Sequence, residues 1–185
     1  MVAGSLANLV LPKCLHSQAF SFWFYSRASF GIVTLLSVFS MKKIALIGEC
    51  MIELSGQPFG QMTQSYGGDT LNTAVYLSRL NPDLNPAYIT ALGEDSISQH
   101  MAEKWQVEGI DTQYVLIDPA HPTGLYMIQL DDAGERSFAY WRHQSAASQL
   151  LKHEQFSKIE QALMSFDFLY LSGLSLIHIS EPTRR

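Results

Sequence analysis

Residues 43–48, Lys-Ile-Ala-Leu-Ile-Gly, are an apolar run that ends on glycine. A strand with apolar side chains on both faces must be covered on both faces, which is the situation of a parallel strand inside a layered α/β domain. The rest of the chain keeps that rhythm. Residues 87–92 repeat the pattern and stop at Gly93, and residues 115–117 and 168–171 give two shorter runs. Helical stretches lie between them. Leu71, Ala74 and Val75 make an apolar stripe ending near Asn81-Pro82, while Ile97, Met101 and Trp105 stand four apart on a helix over 96–108 that Gly109 terminates. A further helix is predicted over 156–166. Strands alternating with helices imply an α/β fold with a mostly parallel sheet flanked by helices.

One segment breaks the rhythm. Residues 124–130 and 136–141 alternate in polarity around Asp131-Asp132-Ala133-Gly134-Glu135, a hairpin signal that predicts a small β side sheet. Residues 51–55 read as a second short strand with Glu53 on its polar side. Tyr66-Gly67-Gly68 reads as a turn, with Asp69 or Thr70 capping the helix that follows.

Charge narrows the partners. Between residues 41 and 176, 8 Lys and Arg face 16 Asp and Glu. An acidic body argues against nucleic acid, which needs clustered cations to displace counterions. No membrane partner is expected either, because the apolar run over 28–40 is too short to span a bilayer and Arg27 stops its extension. Cys14 and Cys50 belong to no ligand-spaced group, so neither a zinc site nor a disulfide framework is read. A reducing, cytoplasmic setting is the simpler expectation, with Cys50 as a buried small hydrophobe.

The two ends differ from the middle. Residues 1–40 hold no acidic residue and no clean period. They read as a leader or, preferred here, as a non-native upstream extension before an initiator at Met41, since Met41-Lys42-Lys43 followed by a strand resembles a cytosolic start. Residues 174–185, LSLIHISEPTRR, resemble the conceptual translation of a sequencing-library adapter, so residues 177–185 are expected to carry no biology. The domain is thus expected over 41–176.

Common catalytic signatures are missing. The sequence has no GxxxxGK[ST] phosphate loop, no GxGxxG and no HExxH, and its six histidines have no metal spacing. The most informative stretch is Gly67-Gly68-Asp69-Thr70-Leu71-Asn72-Thr73-Ala74. Paired glycines let a backbone approach a ligand closely, the helix start leaves N–H groups unpaired, and Asp69 with Asn72 can bond vicinal hydroxyls. From spacing alone the plainer reading is a turn with an aspartate cap. Tyr126 and Tyr140 likewise read first as cross-strand packing in a hairpin.

Residues 67–74 resemble the first signature of the PfkB/ribokinase family of sugar kinases, a GG-x-x-x-N element that holds the sugar. MKKIALIGECMIELS, GGDTLNTAVYLSRL, YITALGEDS, TGLYMI, GERSFAYWR and FDFLYLSG are similar, in order, to blocks of the family's 2-keto-3-deoxygluconate kinases. The resemblance implies a ribokinase-like fold with a lid sheet, truncated before the C-terminal half. It also implies ATP-dependent phosphorylation of the terminal hydroxyl of 2-keto-3-deoxygluconate to its 6-phosphate, with ATP and Mg²⁺ as cofactors of the full-length parent. Its partners would be a small sugar acid and a second copy through the lid sheet.

Carried over position by position, the implied substrate-binding residues are Gly68, Asp69, Thr70, Leu71, Asn72, Tyr126, Tyr140, Trp141 and Arg142. The tyrosines offer phenolic hydroxyls on rigid rings, and Arg142 a planar fork suited to the acid's carboxylate. Glu49 and Glu53 are noted as residues that could shape the pocket.

The family's second signature, a D-T-x-G-A-G-D-like element that supplies the catalytic aspartate and an anion hole, does not occur in the sequence. No catalytic residue is therefore assigned, and the fragment is expected to be inactive. The alternatives are a kinase for fructose or ribose, a non-catalytic sugar-binding module, and a membrane-anchored protein using residues 1–40.

Overall fold

The computed structural model describes residues 42–131 and 133–172. The expectations for residues 1–40 and 177–185 lie outside the described residues. The elements in chain order are β1 (Ile44–Ile47), β2 (Met51–Gly56), β3 (Met62–Gly67), α1 (Asp69–Leu80), β4 (Ala87–Gly93), α2 (Ser96–Val107), β5 (Val115–Asp118), β6 (Leu125–Leu130), β7 (Arg136–Trp141), α3 (Phe156–Leu163) and β8 (Phe168–Leu171), with 3₁₀ turns at Pro82–Leu84 and Ala146–Lys152.

Four strands form a parallel sheet in the order β5-β4-β1-β8. Every residue of β4 is buried, as its continuous apolar run requires. Alternation splits these side chains between two cores. Leu46, Tyr88 and Leu92 pack with Leu71 and Ala74 of α1 and Met101 and Trp105 of α2. Ala45, Ile89 and Ala91 face the other way, onto Ala146 and Leu150 of the 3₁₀ segment and Ile159 of α3. The expected α/β architecture, helices on both faces of a parallel sheet, is what the chain adopts.

The side sheet is larger than a hairpin. Its order is β3-β2-β6-β7, with β2 parallel to β6 and the outer pairs antiparallel. Trp105 ties this sheet to the parallel one, its ring meeting Tyr66 of β3 at 6.3 Å and Tyr88 of β4 at 5.4 Å, both edge to face.

Several local expectations change. Tyr66 and Gly67 are the end of β3, not a turn; the strand escaped notice because Thr63, Gln64 and Ser65 are exposed and polar. Neither Asp69 nor Thr70 caps α1. Gly68 occupies the N-cap with no side-chain bond, because that junction is packed against residues 49 and 50 and admits no side chain. Ile97 is half exposed, while Met101 and Trp105 fill the core as expected. The helix over 156–166 ends at Leu163, and the 3₁₀ segment at Ala146–Lys152 had no counterpart in the sequence reading.

Candidate functional site

The site begins where β1 ends. Gly48, Glu49 and Cys50 carry the chain from the parallel sheet to β2, and Gly48 N–H donates to the Ile89 carbonyl at 3.2 Å. Glu49 is only 3% exposed. Its carboxylate accepts the Ser145 hydroxyl at 2.7 Å and an N–H from Arg142 Nη2. A buried carboxylate needs such partners, since an uncompensated charge there would be costly.

Two glycines bring the start of α1 against this loop. A Cβ on Gly68 would collide with the Glu49 carbonyl oxygen and lie 3.1 Å from Cys50 Cα. A Cβ on Gly67 would collide with the Tyr126 hydroxyl. The paired glycines are therefore required by close approach of the protein's own backbone and the Tyr126 ring, where the sequence argument had a ligand in that place. A third glycine, Gly124 at the foot of β6, leaves a Cβ position only 2.6 Å from Glu49 Oε1.

The hairpin closes the other side. Glu53, Tyr126 and Tyr140 stand in cross-strand register on β2, β6 and β7 and so share one face of the side sheet. The Tyr126 hydroxyl donates to Glu53 Oε2. Burial pushes the Tyr126 phenol well above its ordinary range, and the Glu53 carboxylate adds to the push through the hydrogen bond and its charge. The Tyr126 and Tyr140 rings stack with centroids 5.9 Å apart, and Phe138 joins them at 6.4 and 6.2 Å.

The predicted residues thus divide. Gly68, Tyr126 and Arg142 lie at the junction of β1, α1 and the hairpin, through Glu49 and Gly67, and Tyr140 stacks on Tyr126 beside them. Asp69 and Asn72 are exposed in the first turn of α1, and Asp69 Oδ1 accepts the Thr70 N–H at 2.8 Å. Thr70 and Leu71 are fully buried: Thr70 shares a hydrogen bond of 2.9 Å with the Tyr88 hydroxyl, and Leu71 packs in the core, so both serve the helix start from within. Trp141 lies opposite Leu125 on the other face of the side sheet, away from the tyrosines, where it lines a groove with Ile52 and Ile97.

Glu49 and Glu53, left uncommitted by the sequence, prove to be the partners of Arg142 and Tyr126. Phe138 could have been found from its two-residue spacing to Tyr140. Ser145 carried no signal, because it meets Glu49 across 96 positions of chain.

The arrangement offers an acceptor at Glu53, backbone donors at the start of α1, stacked rings on one face of the side sheet, and a partly buried arginine paired with Glu49. Arg142 Nε is itself buried without a hydrogen-bond partner among the described residues. Among the described residues no group of three or more His, Cys, Asp or Glu could hold a metal ion.

The model of the pfkB family carbohydrate kinases matches residues 41–183. The 2-dehydro-3-deoxygluconokinase of Haemophilus influenzae is 55% identical over 146 residues, covering 78% of this chain and 46% of that protein. The chain spans about half the length of the curated relatives it matches, 46–47% for those most similar. Among solved structures, the 2-dehydro-3-deoxygluconokinase of Thermotoga maritima aligns with a TM-score of 0.63 at 21% identity, over 76% of this chain and 44% of that one, a likeness of fold. A fructokinase from Xylella fastidiosa with bound ATP aligns at a TM-score of 0.52 and 30% identity, over 57% of this chain and 32% of that one.

Proposed function

This chain belongs to the pfkB family of carbohydrate kinases, and from that premise we propose that it is the sugar-holding part of a parent enzyme that phosphorylates 2-keto-3-deoxygluconate at its terminal hydroxyl. One observation carries the reading: a Cβ at Gly67 would meet the Tyr126 hydroxyl, and a Cβ at Gly68 would meet the carbonyl of Glu49, whose carboxylate pairs with Arg142, so the helix start and the end of the hairpin lie side by side. The identity to 2-dehydro-3-deoxygluconokinases supports the choice of sugar. Arg142 supports an acid over a neutral sugar, because a guanidinium pairs with a carboxylate through directed, charge-assisted bonds.

ATP and Mg²⁺ are assigned to the parent. The described residues of this chain include no metal-holding cluster, and the sequence has neither a phosphate loop nor the family's second signature. The chain's own residues bind and orient the acid and shield one face of it. The chain alone is proposed not to turn over. No described helix is long and apolar enough to cross a membrane, and a cytoplasmic setting fits an ATP-using parent. Exposed Trp141, on the face of the side sheet away from the tyrosines, supplies apolar area for self-association of that parent.

Calorimetric titration of the 185-residue chain with 2-keto-3-deoxygluconate and with fructose tests the reading, beside an assay for ADP release. The acid is expected to bind more tightly, with no ADP formed. Equal or better binding of fructose refutes the acid assignment.

A further inference from the structure

Arg142 and Glu49 are held in an arrangement that a purely structural ion pair does not require. The Arg142 side chain is 16% exposed, its Nη2 donates to Glu49, and its Nε–H is buried with no acceptor among the described residues. Glu49 in turn is fixed by the Ser145 hydroxyl at 2.7 Å and hemmed in by Gly124, where a Cβ would lie 2.6 Å from Oε1. One end of the guanidinium is thus bonded to a buried carboxylate that Ser145 also holds, while a second donor stays unsatisfied. Buried charged donors without acceptors are rare and costly, so this one is expected to gain a partner in another state.

Resting on the sugar-acid reading above, we propose that Glu49 is a positioning residue: it clamps Arg142 so that the unpaired Nε–H is held ready for the carboxylate of the ligand. Three features seat the clamp at the sugar site. Glu49 lies in the β1–β2 connection, its carbonyl oxygen abuts Gly68 at the start of α1, and Arg142 directly follows the strand that carries Tyr140. A fork pinned in advance loses less freedom on binding than a free arginine does, which favours a planar acid over a neutral sugar without any contact between Glu49 and ligand.

The test uses the full chain and two readouts. Arg142 Nε–H is followed by ¹⁵N-edited NMR, assigned by its loss in R142K, and the preference for 2-keto-3-deoxygluconate over fructose is measured by calorimetry. In the unmodified chain the Nε–H is expected to exchange slowly with solvent and to shift when the acid is added. E49Q is expected to speed that exchange and to lower the acid preference at least tenfold. E49D keeps the charge one methylene short and should fall between them.

An unchanged preference in E49Q overturns the clamp. So does tighter acid binding, which would make Glu49 a competitor for the guanidinium. Should the unmodified chain bind neither sugar, the sugar-acid reading fails alone, and the Nε–H exchange still decides the clamp: slow exchange lost in E49Q supports it, and exchange unaltered by the substitution overturns it. Should E49Q not fold by circular dichroism, S145A, which removes the anchor of Glu49, is judged by the same two readouts, with a threefold to fivefold loss of preference expected.

Discussion

Replacing Gly68 with alanine puts a methyl group where the backbone of residues 49 and 50 already lies. The added Cβ would collide with the Glu49 carbonyl oxygen, with Cys50 Cα at 3.1 Å and the Glu49 carbonyl carbon at 3.3 Å. These are main-chain atoms of buried residues and cannot rotate away. Backbone conformation is no obstacle, since φ 177 and ψ 140 are extended values that any residue adopts. Overpacking of this kind costs about 1–3 kcal/mol. The reduced freedom of the unfolded chain returns about 0.4–1 kcal/mol, so a net loss of about 1–2 kcal/mol is expected.

Gly134→Ala is the contrast. At φ +80 with nothing within 4 Å of its Cβ position, it should lose about 1 kcal/mol to the left-handed conformation alone. Urea unfolding followed by tryptophan fluorescence measures both, because the Trp105 ring lies against Tyr66 and Tyr88 in the folded state. The two variants should separate in ligand titration: G68A moves the helix start off Glu49 and weakens sugar binding at least tenfold, whereas G134A leaves it intact. A G68A chain as stable as its parent, with undiminished binding, would refute the claim that close approach is why glycine stands there.

Two further predictions concern charge. Asp95 caps α2, accepting the Ser98 amide at 2.9 Å and the Ser98 hydroxyl at 2.7 Å; burial works against its charge, but these bonds outweigh it and hold the carboxyl below its usual range. D95A should cost about 1 kcal/mol at neutral pH, and the difference from the parent, measured by urea midpoints, should begin to close as pH falls below about 4, where the unfolded carboxylate takes up a proton, and finish closing lower still, once the folded one does. Tyr126 is shifted the opposite way. The folded chain holds its phenolic proton more tightly than the unfolded chain does, so that stabilisation is whole below about pH 10 and is lost as pH rises further. Y126F should lose about 1–2 kcal/mol at neutral pH with the bond to Glu53. It should also show a shallower decline in stability above pH 10, and an unchanged decline would remove Glu53 and burial as the cause.

The layered α/β core was legible because burial on both faces leaves a mark in a single strand: β4 is buried at every position, and its residues 87–92 are apolar but for Thr90. The hairpin was legible from its alternation around Gly134. What stayed hidden was β3, an edge strand whose exposed polar residues need only a backbone partner, and the 3₁₀ segment at Ala146–Lys152, which is fixed by what it covers. The site divides in the same way. Glycines and aromatics announce themselves locally, so Gly68, Tyr126, Tyr140 and Arg142 could be named from the residues and the family pattern.

The sequence by itself determined the strand–helix rhythm, the glycine pair and the kinds of side chain available to a ligand, since these follow from local pattern and composition. Only the tertiary structure decided which of those side chains meet. It buried Thr70 and Leu71, turned Trp141 to the far face, and joined Glu49 to Arg142 and Ser145 across more than ninety residues of chain. Partners for a buried charge are chosen by packing in three dimensions, and spacing along the chain holds no record of that choice.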